Sequence, residues 1–315
     1  MRIVSLVPSL TETLVDFGLL DSIVGRTRWC TEPADVVESI EAVGGTKNPE
    51  VARIIELRPD LVIVNKEENR LEDCRAMQDA GLVLHVTHPC TVAEAATMIE
   101  NLGESCGAKE AGATLAMRCR EALAAADSRA DAGAVPTFCP IWRKPYMSFR
   151  RATYIGDMLA RAGCLNVFGH RDGADFFEVT MQEILDAAPR LVILPDEPYV
   201  FESKHADELE AAGLHARFLL LDGKDLAWYG PRIPQALERL SRAVRDAGMK
   251  VVLTGEGADE AFAGYGIFQE AMVRRFWARQ PDSTLRPKLL GRIYPYLSRD
   301  LAQGGGFMAA FFKAG

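Results

Sequence analysis

Apolar runs typical of β-strands alternate along this chain with segments of helical periodicity. Such alternation predicts parallel sheets with helices on both faces, because each parallel pair of strands needs a crossover that a helix usually supplies. We therefore predict the α/β class. The predicted strands fall over residues 2–7, 61–64, 83–87, 135–141, 191–194, 218–221 and 251–254.

An internal repeat divides the chain. The stretch VARIIELRPDLVIV at residues 51–64 has the same order of elements as TMQEILDAAPRLVILP at residues 180–195: a short amphipathic helix, a proline, then a strand. The two Pro-x-Leu-Val-Ile cores lie 130 residues apart. A solenoid needs several copies at a period of about 20–50 residues. One repeat at this distance therefore predicts two similar lobes.

Residues 109–131 lie between the two halves of the repeat. They contain no proline and are rich in Ala, Glu, Arg and Leu, so they predict one long helix of roughly 35 Å. This helix either bridges the lobes as a stiff rod or covers one lobe as an ordinary helix. Near the start of the chain we predict a shorter helix over residues 11–18, capped by Ser9 or Thr11.

Composition excludes several classes of protein. The 315 residues are 48% hydrophobic and 25% charged, as in globular proteins, and the net charge of −8 argues against binding nucleic acid. No apolar run is long enough to span a membrane, and the first residues do not match a secretory leader, so a cytoplasmic location is expected. Seven cysteines without a CxxC pair indicate free thiols and predict no metal site.

Four stretches of the chain carry a family resemblance. They are RIVSLVPSLTETL, IVGRTRWCTEP, EAVGGTKNPEVARIIELRPDLVIV and TYIGDMLARAGCLNVF, in this order. Over residues 1–248 the chain resembles the helical-backbone substrate-binding proteins of ABC transporters for cobalamin and ferric siderophores. The resemblance implies lobes at residues 1–108 and 132–248, a helix at 109–131 and a shallow cleft between the lobes. It also implies cobalamin or another metal chelate as the ligand, and an ABC permease as the partner of exported members.

Ligands of open α/β sheets bind beyond the carboxyl ends of the strands, and the family grips its ligand with aromatic and polar side chains from these loops. A tryptophan offers flat apolar area for a macrocycle, although it can equally cover the core of its own lobe. A cysteine or histidine can ligate cobalt, but structural roles are favoured for those residues. The predicted ligand-binding residues are Pro8, Ser9, Trp29, Cys30, Glu67, Asn69, Trp142, Arg143, Glu197 and Tyr199.

Residues 249–315 differ in character from the rest. They carry a net charge of +3, whereas the preceding 248 residues carry −11. They open with KVVLTGEGADEAFAGYGIF and resemble the ATP-dependent synthetase domain of glutamine-hydrolysing asparagine synthases. This resemblance implies ATP and magnesium as cofactors. It also implies nucleotide contacts by Thr254 and Gly255, and a role for Glu256 at the amino-acid substrate or in proton transfer.

The synthetase pattern is incomplete. The SGGxDS pyrophosphate loop of that family does not occur, and Arg2 stands where its glutaminase half has a nucleophilic cysteine. Activating a carboxylate requires a positioned and neutralised triphosphate. We therefore interpret the tail as an inactive remnant and expect it to be loosely packed. Chelate binding is the predicted function, and the alternatives are an asparagine-synthase-like amide ligase and a non-functional gene-fusion product.

Overall fold

The computed structural model describes residues 1–128 and 134–248. The predicted strand at 251–254, the roles of Thr254, Gly255 and Glu256, and the expected loose packing of the tail lie outside these residues. The chain divides into two units, and Met1–Met249 is the first. Within it, two parallel sheets flanked by helices confirm the predicted α/β class with two lobes.

The N-terminal lobe contains a four-stranded parallel sheet in the order β2-β1-β3-β4. The strands are β1 (Ile3–Ser5), β2 (Ile23–Arg26), β3 (Leu61–Asn65) and β4 (Leu84–Thr87). The helices are α1 (Pro8–Asp16), α2 (Ala34–Val37), α3 (Val51–Glu56), α4 (Leu71–Asp79) and α5 (Val92–Ser105), followed by α6 (Lys109–Asp127), with a 3-10 turn at Leu20–Ser22.

The C-terminal lobe contains a second parallel sheet and a two-stranded antiparallel sheet. Its strands are β5 (Val135–Phe138), β6 (Tyr146–Phe149), β7 (Cys164–Asn166), β8 (Phe176–Val179), β9 (Leu191–Pro195) and β10 (Arg217–Leu221). The parallel sheet has the order β10-β9-β5-β7, and β6 pairs with β8. The helices are α7 (Tyr154–Arg161), α8 (Met181–Ala187), α9 (Ser203–Ala211), α10 (Lys224–Ala227) and α11 (Ile233–Gly248).

The two parallel sheets repeat one topology. When the strands of each sheet are ranked by chain order, both sheets run second, first, third, fourth. The sequence repeat forms α3 and β3 in one lobe and α8 and β9 in the other, and both strands are buried at every residue. Arg58 and Ala188, each directly before the proline of the repeat, adopt left-handed φ angles of 47° and 43°. The sequence repeat is therefore also a repeat of backbone structure.

Helix α6 carries the chain from the first lobe to the second. It packs along α5 and also against α11, so it covers apolar surface as well as bridging the lobes. A Cβ built on Gly103 of α5 would lie 2.8 Å from the Cα of Gly112 of α6, so the two helices approach backbone to backbone. The helix ends at Asp127, before the predicted end at residue 131.

Helix α1 begins earlier than the sequence predicted. Its first residue is Pro8, its N-cap is Val7, and no side chain caps it. A proline suits this position because its φ is already helical and its missing N–H would have no intrahelical partner. The prediction that Ser9 or Thr11 caps the helix was therefore wrong, and both lie inside its first turns.

Apolar side chains fill the space between the sheets and their helices. One cluster runs from the first sheet through α5, α6 and α11 to the second lobe, and smaller clusters cover the opposite sheet faces. None of the helices in residues 1–128 and 134–248 combines the length and apolar character needed to cross a bilayer.

Candidate ligand-binding cleft

The carboxyl edges of the two parallel sheets face each other. Beyond β10, Lys224 Nζ donates to Glu32 Oε1, which follows β2, at 2.5 Å. At the end of β3, Asn65 Nδ2 donates to the hydroxyl of Tyr229 at 2.7 Å. Loops from the ends of the strands thus meet across the lobes. This is the position at which open α/β sheets bind ligands, and the space above these contacts is the candidate cleft.

A group of paired charges forms the floor of the cleft. Arg232 donates to Glu12 at 2.8 Å and lies 3.9 Å from Glu32. Arg232 and Lys224 both lie over the ring of Trp228, at 5.4 and 5.3 Å from its centroid, as in cation–π pairs. Burial raises the pKa of Glu12, although Arg232 acts in the opposite direction. Each of the two basic side chains on the floor of the cleft is thus paired with a carboxylate of the N-terminal lobe.

One exposed indole lies at the carboxyl edge of each parallel sheet. Trp29 follows β2 and is 60% exposed, and Trp142 follows β5 and is 44% exposed. Neither residue covers the core of its own lobe, which was the alternative interpretation. Trp142 packs edge-on against Tyr199, with 5.6 Å between ring centroids. These aromatic surfaces provide flat apolar area on both lobes.

Carboxylates from both lobes also reach the cleft. Glu67 follows β3 and Glu197 follows β9, at corresponding positions of the internal repeat. The Glu67 carboxylate lies 3.7 Å from Nε2 of His88, and Glu197 accepts a hydrogen bond from Trp228 Nε1 at 3.1 Å. Burial raises the pKa of the neighbouring Glu68 to about 8, and the charges of Glu197 and Glu67 act in the same direction.

Arg143 is engaged within the C-terminal lobe. Its guanidinium forms an ion pair with Glu208 of α9, and its side chain is 17% exposed. Arg143 also contributes to a cavity of about 420 Å³ beside the antiparallel sheet, which Tyr146 and Met181 line as well. Its positive charge is therefore already neutralised.

The structure places Cys30 below the surface of the cleft. Its side chain is fully buried, and its sulfur lies 3.0 Å from Thr11 Oγ1 and 3.1 Å from Thr27 Oγ1. Burial raises the pKa of this thiol, whereas ligation of a metal requires the thiolate. This position corrects the expectation of a ligand contact at Cys30 and gives the residue a packing role. Across the described residues, no three His, Cys, Asp or Glu side chains form a group suited to hold a metal ion.

Three further predicted residues lie buried beside the loops of the cleft. Asn69 accepts a hydrogen bond from the backbone N–H of Asn65 at 2.7 Å and donates to the carbonyl of Leu6 at 3.2 Å, so it fixes two loops. Pro8 starts α1. Ser9 is 3% exposed, and its hydroxyl has no hydrogen-bond partner among the residues that the structure describes. These buried residues therefore support the loops of the cleft.

Sequence reasoning missed the C-terminal contributors to the floor. Lys224, Tyr229 and Arg232 follow β10 within the stretch DGKDLAWYGPRI. The signal was available, because this stretch leaves the carboxyl end of a predicted strand and is dense in charged and aromatic residues. Glu68 was missed although it is adjacent to the predicted Glu67.

Two repeated α/β lobes, a bridging helix and loops that meet at the carboxyl edges of both sheets define a two-lobed ligand-binding protein. A profile described as "Periplasmic binding protein" matches residues 3–211, about two thirds of the chain. The chain belongs to this family.

Relatives and solved structures extend the comparison. The vitamin B12-binding protein of Photorhabdus laumondii is 22% identical over 249 residues, which cover 79% of this chain and 89% of the relative. The uncharacterized ABC transporter substrate-binding lipoprotein YvrC of Bacillus subtilis is 26% identical, covering 77% and 79%. The periplasmic vitamin B12 binding protein BtuF of Vibrio cholerae has a similar fold, with a TM-score of 0.68, 21% identity and coverage of 79% and 98%.

A heme-binding protein shares this fold too. The periplasmic RhuT from Roseiflexus sp. RS-1 matches with a TM-score of 0.69 and 24% identity, over 79% of this chain and 99% of that protein. The names of these proteins describe periplasmic proteins and a lipoprotein. The cytoplasmic location expected from the sequence has no support among them.

A second profile, "Asparagine synthase", matches residues 225–313. This match begins at α10, before the boundary at residue 249 that the sequence predicted. Helix α11 therefore lies within the asparagine synthase match and beyond the end of the binding-protein match, while it packs on α6 within the first unit.

Proposed function

We propose that this protein binds a large metal chelate, such as a corrinoid, a heme-type tetrapyrrole or a ferric siderophore, in the cleft between its lobes. The observation that carries the proposal is the pair of exposed indoles, Trp29 and Trp142, one at the carboxyl edge of each sheet. Solvent exposure of two large aromatic surfaces at a cleft favours a ligand with extended apolar faces. Relatives named for vitamin B12 and fold neighbours named for B12 and heme support the same class.

The proposed roles follow from position. Trp29, Trp142 and Tyr199 contact the faces of the ligand, whereas Glu67 and Glu197 contact its polar edge. Arg143 holds the edge of the C-terminal lobe through its ion pair. An ABC permease is the proposed partner, by analogy with the relative described as an ABC transporter substrate-binding lipoprotein.

Titration of the purified full chain with cyanocobalamin, hemin and a ferric siderophore tests the proposal. We expect quenching of tryptophan fluorescence and a change in ligand absorbance for at least one of them at micromolar concentration. Trp29→Ala and Trp142→Ala should each weaken binding by about 30-fold, since each removes about 2 kcal/mol of apolar contact. Met117→Ala is the matched control, because Met117 is 51% exposed on α6. No spectral change with any of the three chelates would refute the proposal.

A second candidate function is an ATP-dependent amide ligase, favoured by the match over residues 225–313. Its test is release of pyrophosphate from ATP and magnesium in the presence of aspartate with glutamine or ammonia. We expect no release above background, because the SGGxDS loop that positions the triphosphate does not occur in the sequence. Release that is lost in Glu256→Gln would establish the ligase instead.

A further inference from the structure

The basic and acidic side chains around the cleft differ in whether they form ion pairs. The basic residues Lys224, Arg232 and Arg143 each form an ion pair with a carboxylate. By contrast, no ion pair reaches Glu197 from any residue in the described part of the chain, and the one hydrogen bond to its carboxylate comes from a neutral indole. Glu197 therefore has a carboxylate without a paired cation.

The internal repeat explains how this charge accumulates. Glu67 and Glu197 each lie two residues beyond the buried third strand of the parallel sheet in their lobe. Their negative charges act on a common group, Glu68, whose pKa they raise together with burial. Asp175 of the C-terminal lobe acts on Glu67 in the same sense. The positive charge of Lys47 acts on the pKa of Glu67 and of Glu68 in the opposite sense, although its Nζ donates to the backbone carbonyl of Glu67 at 2.5 Å and not to a carboxylate.

A carboxylate without a paired cation at a partly buried site favours some ligand charges over others. A ligand that brings its own carboxylates adds like-charge repulsion, which a low-dielectric cleft does not screen. A ligand edge of neutral amides offers N–H donors to the same glutamates, and a cationic metal centre offsets their charge.

We propose that the cleft selects metal chelates by charge. It binds macrocycles that are cationic, or neutral with amide-bearing edges, and it disfavours chelates that carry carboxylates at their edge. This inference rests on the proposed function and narrows its ligand class, because it favours amide-bearing corrinoids over tetrapyrroles with propionates and over anionic ferric siderophores.

Two forms of one macrocycle provide the test. The affinities of the full chain for cyanocobalamin and for a cobalamin monocarboxylic acid, in which one edge amide is hydrolysed, are measured at pH 7 and low salt. We expect the acid to bind at least about tenfold more weakly. Glu197→Gln should reduce this ratio to about threefold, because it removes negative charge and keeps side-chain shape. Glu68→Gln should leave the ratio nearly unchanged, because burial raises the pKa of Glu68 to about 8 and the group is mostly protonated at pH 7. Glu121→Gln, on the exposed side of α6, is the matched control and should leave the ratio unchanged.

The outcomes separate the two proposals. Equal affinity for the two cobalamins, or tighter binding of the acid, would overturn selection by charge and leave chelate binding intact. A ratio that does not change in Glu197→Gln, or that changes equally in Glu121→Gln, would also overturn it. If neither cobalamin binds but hemin does, the cleft accepts propionates, which again contradicts selection by charge. If none of these ligands binds, chelate binding itself fails.

Discussion

Replacing Glu68 by glutamine is expected to stabilise the folded protein. The pKa of Glu68 rises from an ordinary value of 4.5 to about 8 on folding, because the carboxyl is buried beside other carboxylates. At pH 7 the unfolded chain carries the ionised group while the folded protein holds it mostly protonated. Folding therefore takes up a proton, at a cost of about 3 kcal/mol at this pH. Glutamine has a similar shape and does not ionise, so it avoids this cost.

The sign of the pH dependence follows from the same pKa shift. Between pH 4.5 and about 8 the folded protein binds more protons at Glu68 than the unfolded chain, so the stability of the wild type falls as pH rises through this window. The variant lacks this contribution. The gain in free energy of unfolding should thus grow from about 1 kcal/mol at pH 5 to about 4 kcal/mol at pH 8.

Urea unfolding of both proteins at pH 5 and pH 8, followed by circular dichroism, measures the two gains. Glu121→Gln serves as the control, because this glutamate is exposed on α6 and its substitution should change stability little at either pH. A gain that is the same at both pH values, or a loss of stability at pH 8, would show that Glu68 is not held protonated in the folded state.

Two further predictions concern the junction between the lobes. Gly230 has a φ of 125°, and a Cβ there would lie 2.2 Å from Thr13 Oγ1, whereas Gly213 has a φ of 97° and open space around it. In thermal unfolding, Gly213→Ala should cost about 1–2 kcal/mol and Gly230→Ala clearly more, about 3 kcal/mol or above; equal costs would contradict the clash. Arg232→Ala leaves the part-buried Glu12 without its cation and should cost about 3 kcal/mol in urea unfolding, with much of the loss recovered in the double variant that adds Glu12→Gln. No recovery would mean that lost packing, not the unpaired charge, sets the cost.

The predictable part of the fold is the part with continuous apolar runs. Strands β3 and β9 are buried at every residue, and a strand of this kind reads as an unbroken apolar segment. Four strands were missed, and each has only three or four residues with partly exposed or polar positions, so neither length nor periodicity marked them. They are β2, β6, β7 and β8.

The candidate site was predictable only as a set of loops. Residues directly after strands, such as Trp29, Trp142 and Glu197, could be placed at the carboxyl edges from the sequence alone. The burial of each side chain could not be predicted in this way, because Cys30 is adjacent to the exposed Trp29 and yet fully buried. The floor of the cleft depends on contacts between residues far apart in the chain, such as the 220 residues between Glu12 and Arg232, and no local pattern encodes such a pair.

The cross-lobe contacts have a consequence for the kinetics of binding. Three contacts join the lobes beneath the cleft in the protein without ligand. They are Glu12 with Arg232, Glu32 with Lys224, and Asn65 with Tyr229. A ligand that enters such a preformed site does not have to drive a large rotation of the lobes, so we expect association in a single step that depends linearly on ligand concentration. Differences in affinity between chelates should then reside mainly in their dissociation rates, because each ligand meets the same fixed opening.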